Sequence, residues 1–231
     1  MVERDTLTTV GSRLADVRGR VEAAALSSGR DPASVRIVGV TKTVGRDAVD
    51  DAYQAGLRDF GENRVQDSVQ KFSQPLPADA VLHLIGYLQT NKVRDAVALF
   101  DVVHSLDRIA LADGLQHRAA VLGKTLTVLL QVNVAREEQK HGCAPDDTLT
   151  LLNHALTLPS LRVVGLMTIA PLVADPEAAR PVFGDLRRLR DDLVAATGSA
   201  LPELSMGMTN DFEVAIAEGA TMVRIGRAIF A

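Results

Sequence analysis

The residue with the most evident chemistry is Lys42. It follows the run Arg36-Ile37-Val38-Gly39-Val40 and is flanked by Thr41 and Thr43. A short apolar run with β-branched residues reads as a parallel strand buried on both faces. In a barrel of parallel strands, reactive groups sit at the carboxyl ends of the strands, and Lys42 falls at such an end. An amine there can form a Schiff base with a carbonyl compound. The plainer alternative, a solvated lysine, is the commoner fate of this residue type.

Two junctions near the C-terminus offer a partner chemistry. Leu204-Ser205-Met206-Gly207-Met208-Thr209-Asn210-Asp211 supplies two hydroxyls, a glycine and the start of a helical pattern. Arg224-Ile225-Gly226-Arg227-Ala228 runs from a strand into a glycine. Barrels often build a phosphate site from the loops after strands seven and eight, and helix starts favour anions. Ser205, Thr209 and Asn210 also read as helix caps, with Gly207 as a turn. Arg224 alternates with Val223 and Ile225, which aims it into the barrel mouth. A buried arginine needs a partner: either a salt bridge to Glu62 or Glu203, or a hydrogen bond to a ligand ring nitrogen. Amine, phosphate cup and arginine together match pyridoxal 5′-phosphate (PLP), whose aldehyde, phosphate and pyridine nitrogen these groups complement. An arginine at that nitrogen keeps it unprotonated and weakens the ring as an electron sink.

The elements that position these groups follow from the pattern. Apolar residues recur at helical spacing over 5–26 (Leu7, Val10, Leu14, Val17, Val21, Ala24), giving an amphipathic leading helix. Strands are expected over 36–43, 59–61, 81–85, 102–104, 127–134, 161–167, 203–206 and 221–225. Helices are expected between them, one opening at Glu62-Asn63-Arg64 and one running over 106–122. Eight alternating units predict a closed (β/α)8 TIM barrel with an extra N-terminal helix. Were the short runs at 59–61 or 203–206 not strands, an open doubly wound sheet would be the alternative. No linker divides the chain, so residues 1–231 are read as one domain, with 1–30 packed on the barrel.

With 231 residues, 47% hydrophobic and 3% aromatic, the chain can bury a large core, expected to be aliphatic. The net charge of -4 and the lack of a dense basic run argue against nucleic-acid binding. One cysteine, Cys143, excludes an internal disulfide and fits a reducing, cytoplasmic setting. The charged N-terminus has no signal-peptide core, and no window approaches a membrane span.

The stretches VGVTKT, FGENRVQD, HLIGYLQTNK, VHSLDR, QVNVAREEQKHG, VGLMTIAP, LSMGMTNDFEVAI and GATMVRIGRAIF occur in one order across almost the whole chain. In these the sequence resembles the YggS/PROSC family of pyridoxal-phosphate-binding proteins, the PLP homeostasis proteins. The resemblance implies a fold type III barrel like that of alanine racemase, with Lys42 carrying the Schiff base. It implies that Ser205, Thr209 and Gly226 hold the phosphate, helped by Met208 and Arg227. Arg224 would face the pyridine nitrogen, and Asn63 would lie near the ring or its lysine. Five positions depart from the family: Thr43-Val44 for a usual Lys-Pro, Leu82 for a tryptophan, Tyr87 for a histidine, and Thr209 for a serine, which keeps the hydroxyl.

The function implied is PLP homeostasis and delivery without established turnover, by a monomer whose partners are PLP and PLP-dependent apo-enzymes. An amino-acid racemase is the alternative; it needs a second acid/base group, for which Tyr87 and His83 are the nominees. A sugar-phosphate-binding barrel is a third reading. The scattered histidines His83, His104, His117, His141 and His154 show no metal-site spacing. His83 and His104 are read at strand ends, in core or loop roles. Glu137, Glu138 and Lys140 are read as a charged rim loop, Gln89 and Asn91 as helix caps, and Cys143 as incidental.

Overall fold

The computed structural model describes residues 3–137 and 139–231, with side chains from residue 9 onward. Eight parallel strands close a barrel in sequence order: β1 (Arg36–Val40), β2 (Asp59–Glu62), β3 (Val81–Leu84), β4 (Val102–Leu106), β5 (Leu126–Gln131), β6 (Leu161–Met167), β7 (Glu203–Met208) and β8 (Met222–Ile225). Closure is made by β8 on β1, in the register Arg36↔Met222 to Gly39↔Ile225. Both short runs are therefore strands, and the open-sheet alternative falls. The helices are α1 (Glu3–Ser27), α2 (Arg46–Gln54), α3 (Val65–Lys71), α4 (Val93–Leu99), α5 (Ile109–Val121), α6 (Thr148–Leu156), α7 (Arg180–Thr197), α8 (Phe212–Ala217) and α9 (Arg227–Phe230). The leading helix α1 packs on α2, α8 and α9 through Val10, Leu14, Val17 and Val21. Leu7 lies outside the described side chains. No described helix is long and apolar enough to cross a membrane.

Several boundaries differ from expectation: β1 stops at Val40, β5 at Gln131, and β7 runs on to Met208. Two further differences matter for the site. Glu62 ends β2 rather than opening a helix, because its side chain turns into a buried pair with Lys71. The fourth strand continues to Leu106, and its helix starts at Ile109. All five residues Val102–Leu106 are buried, as a strand covered on both faces requires. The Arg108–Asp107 ion pair, at 2.5 Å, then turns the chain. His104 is thus mid-strand, not at a strand end.

The core has two layers. Between strands and helices lie the leucines and valines with Phe60, Phe100, Phe183 and Phe212, all fully buried. The largest buried side chains are therefore aromatic, although the composition pointed to aliphatics. Val102, Leu129 and Met167 form a separate small cluster. A row of polar groups crosses the barrel beside it: His83, His104, Ser205 and Arg224 are all buried.

Candidate functional site

A cavity of about 390 Å³ opens at the carboxyl ends of the strands. That size is at the lower end for small-ligand sites. Its polar lining is Lys42, Thr43, Asn63, Thr209, Asn210, Asp211, Arg224 and Arg227, with Met208 and Gly226. The rest is apolar: Val40, Ile85, Ile169, Pro171, Leu172, Val173 and Pro176. Of the residues expected at the site, Lys42, Asn63, Met208, Thr209, Arg224, Gly226 and Arg227 share this cavity, and Ser205 does not line it. The apolar wall after β6 escaped sequence reasoning, since the loop from Ile169 to Val173 carries no periodicity to mark it.

Lys42 lies two residues past the end of β1 and is exposed. Its amine makes no hydrogen bond or ion pair among the described residues. The backbone beneath it is held firmly. Thr41 is buried, and its Oγ1 donates to Glu62 Oε1 at 2.7 Å. Lys71 Nζ, from α3, donates to the same Oε1 at 2.7 Å.

Asn63 follows directly on Glu62. Its Oδ1 is buried without a hydrogen-bond partner. Such an orphan costs stability unless something supplies a donor. Gly86 packs against it: a Cβ at Gly86 would lie 2.1 Å from the Asn63 carbonyl oxygen, so only glycine lets the β3 loop pass there.

After β7, Asp211 Oδ1 accepts the Met208 N–H at 2.6 Å, closing the turn that presents Thr209. Burial pushes the Asp211 carboxyl up, with the Met208 N–H and then Arg224 opposing. Gly207 makes the turn possible. Its φ is +89°, and a Cβ would meet Ala215 Cβ at 2.6 Å. This glycine packs on α8 and not against the cavity. The side chains of Thr209 and Arg227 make no hydrogen bond or ion pair among the described residues, so their donors are free to meet a ligand.

Ser205, expected on the phosphate, lies inside the barrel beneath Arg224. Its Oγ accepts from Arg224 NH1 at 2.7 Å and faces His104 Nδ1 at 3.0 Å. Arg224 NH2 donates to the Thr168 carbonyl oxygen at 2.8 Å. Neither salt bridge considered for Arg224 forms: Glu62 pairs with Lys71, and Glu203 with Arg36. Arg224 is only 4% exposed, and burial draws its guanidinium down to about 10, against Asp211. It stays protonated at neutral pH and still borders the cavity.

The racemase nominees are elsewhere. His83 is fully buried, between Asp59 and His104. Tyr87 stacks on His141 with ring centroids 3.9 Å apart, and neither lines the cavity. Lys140 pairs with Glu137 at 2.5 Å; Glu138 lies outside the described residues. Gln89 precedes a short turn without capping it through its side chain. Cys143 is buried; burial raises its thiol, and its Sγ donates to the Gln131 carbonyl oxygen at 3.3 Å.

The residues fit a ligand with a carbonyl, a phosphate and a ring acceptor: an unpaired amine, free donors on two neighbouring loops, a buried cation and an orphaned acceptor. Comparison with known proteins points the same way. Residues 22–231 match the family model for the alanine racemase N-terminal domain, the class that this barrel and site define. The chain belongs to the family of pyridoxal phosphate homeostasis proteins. It is 44% identical over 218 residues to that protein of Aquifex aeolicus, covering 94% of this chain and 96% of the relative. With that of Pseudomonas aeruginosa it shares 42% over 224 residues, covering 97% and 96%. The PipY protein of Synechococcus elongatus, solved with PLP bound, superposes with a TM-score of 0.84 at 36% identity, covering 96% of this chain and all of that one.

Proposed function

We propose that this protein carries pyridoxal 5′-phosphate on Lys42 and supplies it to PLP-dependent apo-enzymes, with no turnover of its own. The relatives are named for pyridoxal phosphate homeostasis, and PipY has been solved with PLP bound. The observation that carries the reading is the unpaired Lys42 amine in one cavity with Thr209, Gly226, Arg227 and Arg224. When bound, the cofactor supplies an aldehyde for a lysine and an electron-withdrawing ring.

The chain's own residues divide the work. Lys42 is the covalent anchor. Thr209, the Met208 turn, Gly226 and Arg227 meet the phosphate, with Arg227 a free cation beside it. Arg224 turns a guanidinium N–H to the ring nitrogen, and as a donor it leaves that nitrogen unprotonated. Asn63 Oδ1 accepts from the ring hydroxyl or the lysine nitrogen. Ser205 orients Arg224 and does not hold the phosphate. Racemisation needs acid/base groups on both faces of the substrate. The titratable side chains of the cavity are Lys42, Asp211, Arg224 and Arg227. Asp211 is engaged by the Met208 N–H, and both arginines remain cations at neutral pH.

The reading is tested by two assays on PLP-loaded protein. Transfer of cofactor to an apo-transaminase, measured as regained transaminase activity, is expected, together with an unchanged optical rotation of L-alanine. Sustained racemisation, lost in Lys42→Ala, would replace the carrier reading by the racemase.

A further inference from the structure

A hydrogen-bonded chain runs through the barrel from one face to the other. Asp59, at the start of β2, holds His83 Nε2 at 3.0 Å. His83 Nδ1 meets His104 Nε2 at 2.9 Å, His104 Nδ1 meets Ser205 Oγ at 3.0 Å, and Ser205 Oγ takes the 2.7 Å bond from Arg224 NH1. Five residues on β2, β3, β4, β7 and β8 are joined in one line. The Arg224 end borders the cofactor cavity. The Asp59 end borders a separate cleft of about 340 Å³ with Arg18 and Arg58.

The ends of the chain dictate its hydrogens. Arginine only donates, and an ionised carboxylate only accepts. His83 must therefore give Nε2–H to Asp59 and accept at Nδ1. His104 must then give Nε2–H to His83 and accept at Nδ1, which leaves the Ser205 hydroxyl to donate to His104. Three neutral groups supply one hydrogen each for the three bonds between Ser205 and Asp59. A further proton on His104 would make Nδ1 a donor and turn the Ser205 hydroxyl out of the line, and one on His83 would reverse the His104 tautomer with the same result. The charged groups near the ring pair are Asp59, Arg224 and, on β1, Arg36. Burial, and after it His83, Arg224 and Arg36, hold His104 well below the ordinary imidazole range, in keeping with a neutral ring.

We propose that Asp59, His83 and His104 are positioning residues for Arg224: the chain fixes the direction of the Ser205 hydroxyl, and through it the orientation in which Arg224 meets the ring nitrogen of the cofactor. This rests on the proposed PLP reading. It extends the site to a carboxylate on the far side of the barrel, which touches no ligand.

A purely space-filling role and a positioning role differ at Asp59. Leucine fills the space without accepting a hydrogen bond, whereas asparagine keeps an acceptor. The experiment titrates PLP into wild type, Asp59→Asn, Asp59→Leu and Arg224→Gln, reading the dissociation constant and the visible band of bound cofactor. Asp59→Leu is expected to weaken binding about fivefold, the scale of one neutral hydrogen bond, and to move the band in the direction that Arg224→Gln moves it. Asp59→Asn is expected to stay within about twofold of wild type on the same scale. Nitrogen NMR of imidazole-labelled, ligand-free wild type gives a second readout: both buried rings neutral at pH 7, each with its hydrogen on Nε2. A hydrogen on Nδ1 of either ring, or an imidazolium, overturns the chain whatever the variants do. If Arg224→Gln alters the cofactor and Asp59→Leu does not, the positioning role fails and the functional reading stands. Absence of any Lys42-bound cofactor in the wild type removes the functional reading and this inference with it.

Discussion

Lys71 donates a 2.6 Å hydrogen bond to the carbonyl oxygen of Thr41, the residue before Lys42. A cation from α3 thus grips the main chain immediately beneath the proposed anchor. Its charge is balanced by Glu62, whose side chain is only 1% exposed. Removing one member of a buried pair leaves the other uncompensated, at a cost of about 3 kcal/mol. Lys71→Met is therefore expected to lower unfolding free energy by about that amount and to loosen Lys42. Urea unfolding checks the first effect, and the rate at which borohydride traps cofactor on Lys42 checks the second. Unchanged values in both would mean the grip is not needed.

Asn63 predicts the opposite trade. Its Oδ1 is buried and unpartnered in the ligand-free chain. Asn63→Ala relieves that orphan, so the ligand-free protein is expected to be as stable as wild type or slightly more so. PLP affinity is expected to fall about fivefold to tenfold, the scale of one hydrogen bond. Thermal denaturation with and without PLP separates the two effects: the cofactor-induced rise in Tm shrinks while the ligand-free Tm does not.

Stability is expected to fall in mild acid through His104. Burial holds this ring well below its ordinary value of 6.5, so the folded chain keeps it neutral while the unfolded chain takes up a proton below 6.5. The unfolded state then binds more protons, and unfolding free energy rises with pH across that window. From about pH 6.5 to pH 5.5, wild type should lose stability with a slope approaching 1.4 kcal/mol per unit from this ring. In His104→Asn the slope should flatten. Equal slopes in the two proteins would show that the ring charges in the folded state.

Gly207 should tolerate no side chain. At φ +89° and with Ala215 Cβ 2.6 Å from any added Cβ, alanine is both strained and crowded. Gly207→Ala is expected to cost about 2 kcal/mol or more and to displace the Thr209 turn. Urea midpoints measure the cost, and weaker inhibition of PLP binding by inorganic phosphate measures the displacement.

Much of this architecture was legible in the sequence because strands buried on both faces leave apolar runs, and helices between them leave a different period. Lys42 and Arg224 were visible as charged groups beside such runs. Asn63 was not; it came only from family resemblance, since nothing in GENR announces an orphaned acceptor. The place of Ser205, inside the barrel and not on the cavity wall, was not legible, because a serine near a glycine turn looks the same whether it faces a ligand or the barrel interior. The histidine pair was invisible for a geometric reason. His83 pairs in register with Val102, not with His104, and the rings meet only through the stagger of a tilted, closed barrel. The apolar wall after β6 depends on a loop path that no periodicity encodes.

The central claim is that Lys42 is the anchor, and borohydride reduction of the PLP-loaded protein followed by peptide mass mapping tests it most directly. The predicted result is one reduced adduct, on the peptide containing Lys42, absent from Lys42→Ala. An adduct scattered over surface lysines, or none at all, would contradict it.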